Sequence, residues 1–218
     1  MKTSVIIAAG GAGKRMGRKK QFLPLAGSSV LEWTISAFKK VKSVSEIIVV
    51  VDYEEMERAK NLGVKVAAAG SERTNSVKNG MQMVSPGCDI VLIHDGARPL
   101  ITIDIIDKAI RVAAESGAAV VGVPAKDTIK RVSDDLFVKD TVDRNTIWLA
   151  QTPQAFKYEI ITRALAKSKK AATDDSKLVE DLGIKVKMVM GSYENIKITT
   201  PEDLIIAEAI LRSRNVLP

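Results

Sequence analysis

The sequence predicts an α/β fold, an open doubly wound sheet whose strands run mostly parallel, and three observations carry that prediction. Short segments rich in β-branched residues recur between stretches that carry apolar residues at helical spacing. Most of these segments are apolar throughout and do not alternate, so both faces must be covered, as in a parallel sheet sandwiched by helices. The chain has 218 residues, 46% hydrophobic and 27% charged, the proportions of a globular chain able to bury a large core. An intrinsically disordered chain is excluded.

The strand segments are Ser4 to Ala8, Ile47 to Val51, Val64 to Ala67, Ile90 to Ile93, Ala119 to Val123 and Lys185 to Val189. Helical spacing occupies Val30 to Val41, Tyr53 to Leu62, Ser76 to Val84, Ile103 to Ser116 and Pro201 to Arg212. Thr102 and Asp104 mark a start for the fourth helix. Thr200-Pro201-Glu202-Asp203 opens the last, with proline where its missing N–H is harmless and acids where the helix dipole favours them. One segment breaks the rhythm. From Ala125 to Thr146 the chain is polar, with β-prone residues on either side of the turn-like Ser133-Asp134-Asp135, and it reads as a protruding hairpin with little to bury it. A lone two-stranded hairpin is marginal in water. A second subunit is the simplest thing for it to pack on, and an ordinary surface excursion on a monomer fits the residues equally well. We expect one domain over residues 1–218, with 125–146 a projecting arm within it.

Apolar runs such as Ile47 to Val51 fall far short of the roughly 18 to 20 residues that cross a bilayer. The N-terminus runs straight into a strand without a signal-peptide pattern, so the expected location is cytoplasmic. Cys88 is the single cysteine, which excludes an internal disulfide, and no Cys/His cluster suggests zinc. Lys and Arg number 33 against 26 Asp and Glu, a net charge of +7 that suits nucleic acid, an anionic membrane surface or a highly phosphorylated small substrate. Aromatic residues make up only 4% and no run of five basic residues occurs, which argues against nucleic acid. Neither nucleic acid nor membrane is an expected partner.

After the first strand comes Ala9-Gly10-Gly11-Ala12-Gly13-Lys14-Arg15-Met16-Gly17-Arg18-Lys19-Lys20. Glycines let the backbone approach a ligand and turn its N–H groups inward, and a loop at the carboxyl edge of an α/β sheet is where anions bind. Five Lys and Arg between Lys14 and Lys20 would repel one another without an anion, so phosphate is the expected guest. A Walker A loop does not fit, because Ala8 stands where its first glycine belongs and Arg15 follows the lysine. A dinucleotide fingerprint fits poorly, since the third glycine position is Met16 and the acid after the second strand, Asp52, lies too far on. A second constellation, His94-Asp95-Gly96-Ala97-Arg98-Pro99, directly follows the strand Ile90 to Ile93. Asp95 there could hold Mg²⁺, which takes one or two carboxylates plus substrate phosphates. It could equally cap a turn or pair with Arg98. His94 reads as a packed, hydrogen-bonded residue and is assigned no catalytic role.

Taken together with Lys20-Gln21-Phe22, Gly70-Ser71-Glu72-Arg73-Thr74-Asn75-Ser76, Asp127-Thr128-Ile129-Lys130, Val142-Asp143-Arg144-Asn145, Gln151-Thr152-Pro153-Gln154, Thr173-Asp174-Asp175 and Asn195-Ile196-Lys197-Ile198-Thr199, these segments closely resemble, in order and spacing, the 2-C-methyl-D-erythritol 4-phosphate cytidylyltransferases of the non-mevalonate isoprenoid pathway. The resemblance covers nearly the whole chain. It implies a Rossmann-like nucleotidyltransferase fold, a homodimer in which the arm reaches the other subunit, and CTP and a sugar-alcohol phosphate as substrates with Mg²⁺ or another divalent cation. Carried over by residue, it implies that Ala9, Gly10, Gly11, Gly13, Gly70, Ser71 and Ser76 contact the nucleotide, and that Arg15, Lys20 and Lys197 are catalytic. It places Asp95 near the metal and the sugar phosphate, with Arg98, Thr128, Arg144 and Thr173 also on the sugar phosphate. This chain departs from the family pattern at Gly10, where alanine is usual, at Lys19, where proline is common, and at Ser176-Lys177, where Ala-Ser is usual. Ribitol 5-phosphate cytidylyltransferases share the Ala-Gly-Gly form and remain an alternative. A nucleic-acid-binding module and a dinucleotide-dependent oxidoreductase are more remote ones.

Overall fold

The computed structural model describes residues 1–11, 19–168 and 174–214. Chain order begins with β1 (Thr3–Ala8), a small hairpin of β2 (Pro24–Leu25) and β3 (Ser28–Ser29), α1 (Val30–Lys39) and β4 (Val44–Val51). It continues through α2 (Met56–Lys60), β5 (Lys65–Ala68), α3 (Arg73–Gln82), β6 (Ile90–Asp95), α4 (Ile103–Ser116) and β7 (Ala118–Pro124). The arm follows as β8 (Ile129–Val132) and β9 (Val138–Val142), then β10 (Trp148–Lys157), α5 (Tyr158–Lys167), α6 (Asp175–Glu180), β11 (Lys187–Met190) and α7 (Pro201–Ser213).

Seven strands form one sheet in the order β11-β7-β10-β6-β1-β4-β5. All pairings are parallel except those of β10, which runs against both β6 and β7. The fully apolar strands are explained by their two covered faces. Val5 and Ile7, Val49 and Val51, and Ile90 and Leu92 point into the core under α1 and α4. Ile6, Ile48 and Val50, and Val91 and Ile93 point the other way, against Val77 of α3, Ile161 and Leu165 of α5 and Val179 of α6. Alternate side chains of a strand face opposite sides, so a strand packed on both sides has no polar positions to spare. A third cluster, with Leu25, Val30, Leu100, Ile198, Ala207 and Leu211, lays α7 and the segment before it over the β2–β3 hairpin.

Helix ends follow the local chemistry. At α1 the Ser29 hydroxyl accepts from the Glu32 N–H at 3.2 Å, while the Glu32 carboxylate accepts from the Ser29 N–H at 2.6 Å, a reciprocal capping box. Thr200 and Asp203 make the same box at α7, with Pro201 at the first helical position. At α4 the bounds match expectation, but the Thr102 side chain makes no cap hydrogen bond. Two expectations need correction. The helix expected from Tyr53 to Leu62 is a 3-10 turn, Tyr53–Glu55, followed by the short α2. The stretch from Trp148 to Lys167, to which the sequence reading gave no element, holds β10 and α5.

Two features position the site. The chain leaves β1 toward β4 and β5 on one side and returns to β6 on the other, so the crevice between the ends of β1 and β6 is a topological switch point, where open α/β sheets bind ligands. Ala8 and Asp95 are register partners at that edge. Because β7 runs parallel to β6, its end at Pro124 lies at the same edge, where it pairs with Trp148 at the start of β10. The arm between them therefore leaves the molecule on the pocket side. Its tip exposes Leu136 and Phe137, at 80% and 73%, together with Val132 and Val138. Among the described residues no helix is long and apolar enough to cross a membrane.

Candidate active site

The three loops that follow β1, β5 and β6 border a cavity of about 560 Å³, with Lys197 on its wall. Of the residues singled out in the sequence, Ala9, Gly10, Gly11, Lys20, Gly70, Ser71, Ser76, Asp95 and Lys197 all line it. Gly13, Arg15 and Thr173 lie outside the described residues. Thr128 and Arg144 are exposed on the arm and are not among the lining residues, and the Arg144 guanidinium donates to the Lys126 carbonyl at 2.7 Å. Within one chain the arm residues are therefore not brought to the pocket.

Each wall has a local reason. The segment from 195 to 199 lies along the β6–α4 loop, where the Ile198 N–H donates to the Ala97 carbonyl at 2.8 Å and the Ile198 side chain is fully buried. That brings the Lys197 ammonium to 2.9 Å from the Asp95 carboxylate. The β5–α3 loop is closed by Ser76, whose hydroxyl accepts from the Gly70 N–H at 3.0 Å and donates to the Glu72 carbonyl at 3.1 Å. At this point α3 begins, and the free N–H groups and dipole of its first turn favour an anion nearby. On the opposite side the Gln21 amide donates to the Ala9 carbonyl, tying the 3-10 turn that carries Lys20 to the end of β1. Lys19, by contrast, pairs with Asp52, Glu54 and Glu55 at 3.3, 3.1 and 3.6 Å, so this member of the basic run is committed to protein carboxylates.

Asp95 is only 8% exposed. Burial alone would raise its pKa, yet the surrounding Lys197, Arg73 and Arg98 hold it well below the usual carboxylate range. Arg98 lies at 3.4 Å and also donates to the Asn195 carbonyl at 2.8 Å, and Arg73 lies at 3.7 Å. The sequence reading assigned no role to Arg73 itself. It bridges Asp95 and the buried Asp175, whose own pKa is pushed up by burial despite the arginine. Gln154 holds the same corner, its amide oxygen accepting from the Asp175 and Ser176 N–H groups at 3.0 and 2.9 Å. Asp95 thus pairs with Arg98, as one of its open readings had it, and also faces the cavity.

His94 behaves as the packed residue expected. It is fully buried, with its ring edge-on to Phe38 at 4.9 Å. The Arg98 carbonyl can only accept, so Nε2 carries the ring proton and donates to it at 3.2 Å, leaving Nδ1 to accept from the Thr152 hydroxyl at 3.0 Å. That hydroxyl accepts in turn from the Asp95 N–H at 3.1 Å. Burial lowers the His94 pKa to about 4.

Among the described residues no three acidic, histidine or cysteine side chains gather as a metal site. Asp95, a carboxylate on the cavity wall, is still a donor of the kind that Mg²⁺ takes, since that ion completes its shell with substrate oxygens and water.

The comparisons agree with this geometry. Residues 3–213 match the family described as IspD: 2-C-methyl-D-erythritol 4-phosphate cytidylyltransferase. The protein of that name from Alkaliphilus metalliredigens (strain QYMF) is 47% identical, with 98% of this chain and 94% of the relative covered. The one from Clostridioides difficile (strain 630) is 48% identical, with 95% and 93% covered. Among solved structures, the 4-diphosphocytidyl-2C-methyl-D-erythritol synthase from Anaerococcus prevotii DSM 20548 superposes with a TM-score of 0.87 at 34% identity, covering 97% of this chain and 98% of that one. The 2-C-methyl-D-erythritol 4-phosphate cytidylyltransferase from Thermus thermophilus gives 0.85 at 34% identity, covering 97% and 100%. A mostly parallel seven-stranded sheet, a pocket at its switch point and similarity along almost the entire chain lead to one statement: this chain belongs to the family of 2-C-methyl-D-erythritol 4-phosphate cytidylyltransferases.

Proposed function

We propose that this chain joins CTP to 2-C-methyl-D-erythritol 4-phosphate, giving 4-diphosphocytidyl-2-C-methyl-D-erythritol and pyrophosphate in isoprenoid precursor synthesis. The observation that carries the reading is the convergence of Gly10, Gly11, Lys20, Asp95 and Lys197 on one cavity at the sheet's switch point. In the reaction an oxygen of the sugar phosphate attacks the α-phosphorus of CTP, and the bond from that phosphorus to the β-phosphate bridging oxygen breaks. The second pKa of a phosphate monoester is about 6, so the nucleophile is mostly dianionic at pH 7 and no general base is needed. His94, neutral and locked in the core, supplies none.

The obstacle is repulsion between a dianion and a triphosphate, which grows as water is excluded. Positioning and charge stabilisation supply nearly all of the catalysis in phosphoryl transfer. In this reading Gly10 and Gly11, with the Gly70 to Ser76 loop, seat the nucleotide, while Lys20, Lys197 and Arg15 neutralise the phosphates. Asp95 is the residue that would hold a divalent cation, which when bound offsets further phosphate charge. Arg98 and Thr173 would face the sugar phosphate. Thr128 and Arg144 would be supplied by the arm of a second subunit, which fits their exposure and their absence from the pocket of their own chain.

The test is pyrophosphate release from CTP, ATP, GTP and UTP with Mg²⁺ and either methylerythritol phosphate or ribitol 5-phosphate. Release confined to CTP with methylerythritol phosphate is expected. A preference for ribitol 5-phosphate would move the assignment to the neighbouring activity, and no release with any pair would end it.

A further inference from the structure

The loops leaving β1, β5 and β6 approach so closely that single methyl groups decide how they fit. A Cβ on Gly96 would stand 2.8 Å from the Cβ of Ala9 and 3.2 Å from the Ala8 carbonyl oxygen. A Cβ on Gly10 would stand 2.3 Å from the Cβ of Ala69 and 3.3 Å from a carboxylate oxygen of Asp52. Carbon atoms in favourable contact sit about 3.5 to 4.0 Å apart, so the methyl of Ala69 excludes one at position 10. Neither backbone is free to swing away. The Ala9 N–H donates to the Val50 carbonyl at 2.8 Å and the Ala69 N–H to the Val51 carbonyl at 2.7 Å, which pins both segments to β4.

We propose that Gly10 and Ala69 form a positioning pair. One methyl, carried by residue 69, sets the spacing between the Gly10–Gly11 segment and the Gly70 to Ser76 loop, and so the width of the nucleotide cleft. The inference rests on the reading of this pocket as the CTP site.

The experiment compares Gly10→Ala, Ala69→Gly and the double variant with the wild type, measuring melting temperature without substrate, CTP affinity by calorimetry, and KM for each substrate. Gly10→Ala is expected to lower the melting temperature, as overpacking does, and, by shifting the cleft wall, to weaken CTP by about tenfold or more. KM for the sugar phosphate should stay within about twofold, a split that general loss of structure would not give. Moving the methyl across in the double variant should restore both melting temperature and CTP affinity, the strong coupling expected of residues in direct contact. If Gly10→Ala does not fold, a folded double variant that binds CTP like the wild type supports the pair, and an insoluble double variant overturns it. Wild-type behaviour of Gly10→Ala, or a double variant no better than Gly10→Ala, also overturns it. Failure of the wild type to bind CTP would instead sink the reading of the pocket, while the melting-temperature cycle would still report the contact.

Discussion

Lys197 and Lys20 reach the cavity from opposite ends of the sequence, and Lys197 is held by Asp95 at 2.9 Å. Incoming phosphates would compete for that ammonium. Loss of one charge-stabilising contact of this kind costs about 3 to 4 kcal/mol, or 10² to 10³ in rate. Lys197→Ala and Lys20→Ala should therefore reduce kcat by at least about a hundredfold with an unchanged circular dichroism spectrum; turnover equal to the wild type in either would refute the role. His94 gives a prediction of a different kind. Its folded pKa, about 4, lies below the ordinary value of 6.5, so the unfolded chain binds the proton more readily. Stability should accordingly fall as pH drops from about 6.5 towards 4, by roughly 3 kcal/mol for this residue at the acid end. His94→Gln should flatten the melting-temperature profile in that window, and a wild-type profile already flat there would remove the claim. At this scale the sequence displayed Gly10, Gly11 and Asp95, because they sit in short motifs at the end of a strand, and Lys20 as part of a basic run, whereas Lys197 came only with the family resemblance. Arg73 and Asp175 were not legible as a pair: they are 102 positions apart, and only the fold brings them together beside Asp95.

Among the elements, the strands with two covered faces were readable because burial on both sides leaves an unbroken apolar run. β10 was not. Its middle, Gln151-Thr152-Pro153-Gln154, places two amides and a proline where a central strand would be expected to carry valines. The register with β7 shifts there, between Ala150 and Gln154, and the peptide between Thr152 and Pro153 is cis. The amides are placed for contacts that no local pattern announces: Gln151 donates to the Ser192 carbonyl at 2.8 Å and Gln154 to the Asp174 carboxylate at 2.9 Å. The arm was readable for the opposite reason, since it lacks anything to bury it. Arg144 sits in the 3-10 turn Arg144–Thr146 where the arm rejoins the sheet, beside Asp143, whose side chain accepts from the Asn145 N–H. Arg144→Ala should raise KM for the sugar phosphate by about tenfold or more, as expected when one arginine contact to a phosphate is lost, with KM for CTP little changed. An effect on CTP alone would show that the arm serves the other substrate.

For the whole molecule, the pocket of a single chain holds Lys20 and Lys197 but not Arg144, so the proposed assembly divides the site between subunits. Mixing inactive Lys20→Ala and Arg144→Ala chains should then regenerate part of the activity, because some pockets combine an intact floor with an intact arm. Verified mixed dimers without any recovery would mean that each chain completes its own site.

The reversed direction of β10 has a further bearing on such an assembly. It lets the arm emerge as an elongated hairpin between β7 and β10, at the same rim where Gly10, Gly11 and Asp95 lie. A neighbour grasped by Leu136 and Phe137 would hang over the entrance itself, and could not be lost without opening the reaction chamber to water. Turnover per chain should then decline on dilution in step with dissociation, with added nucleotide and sugar phosphate shifting the midpoint to lower protein concentration.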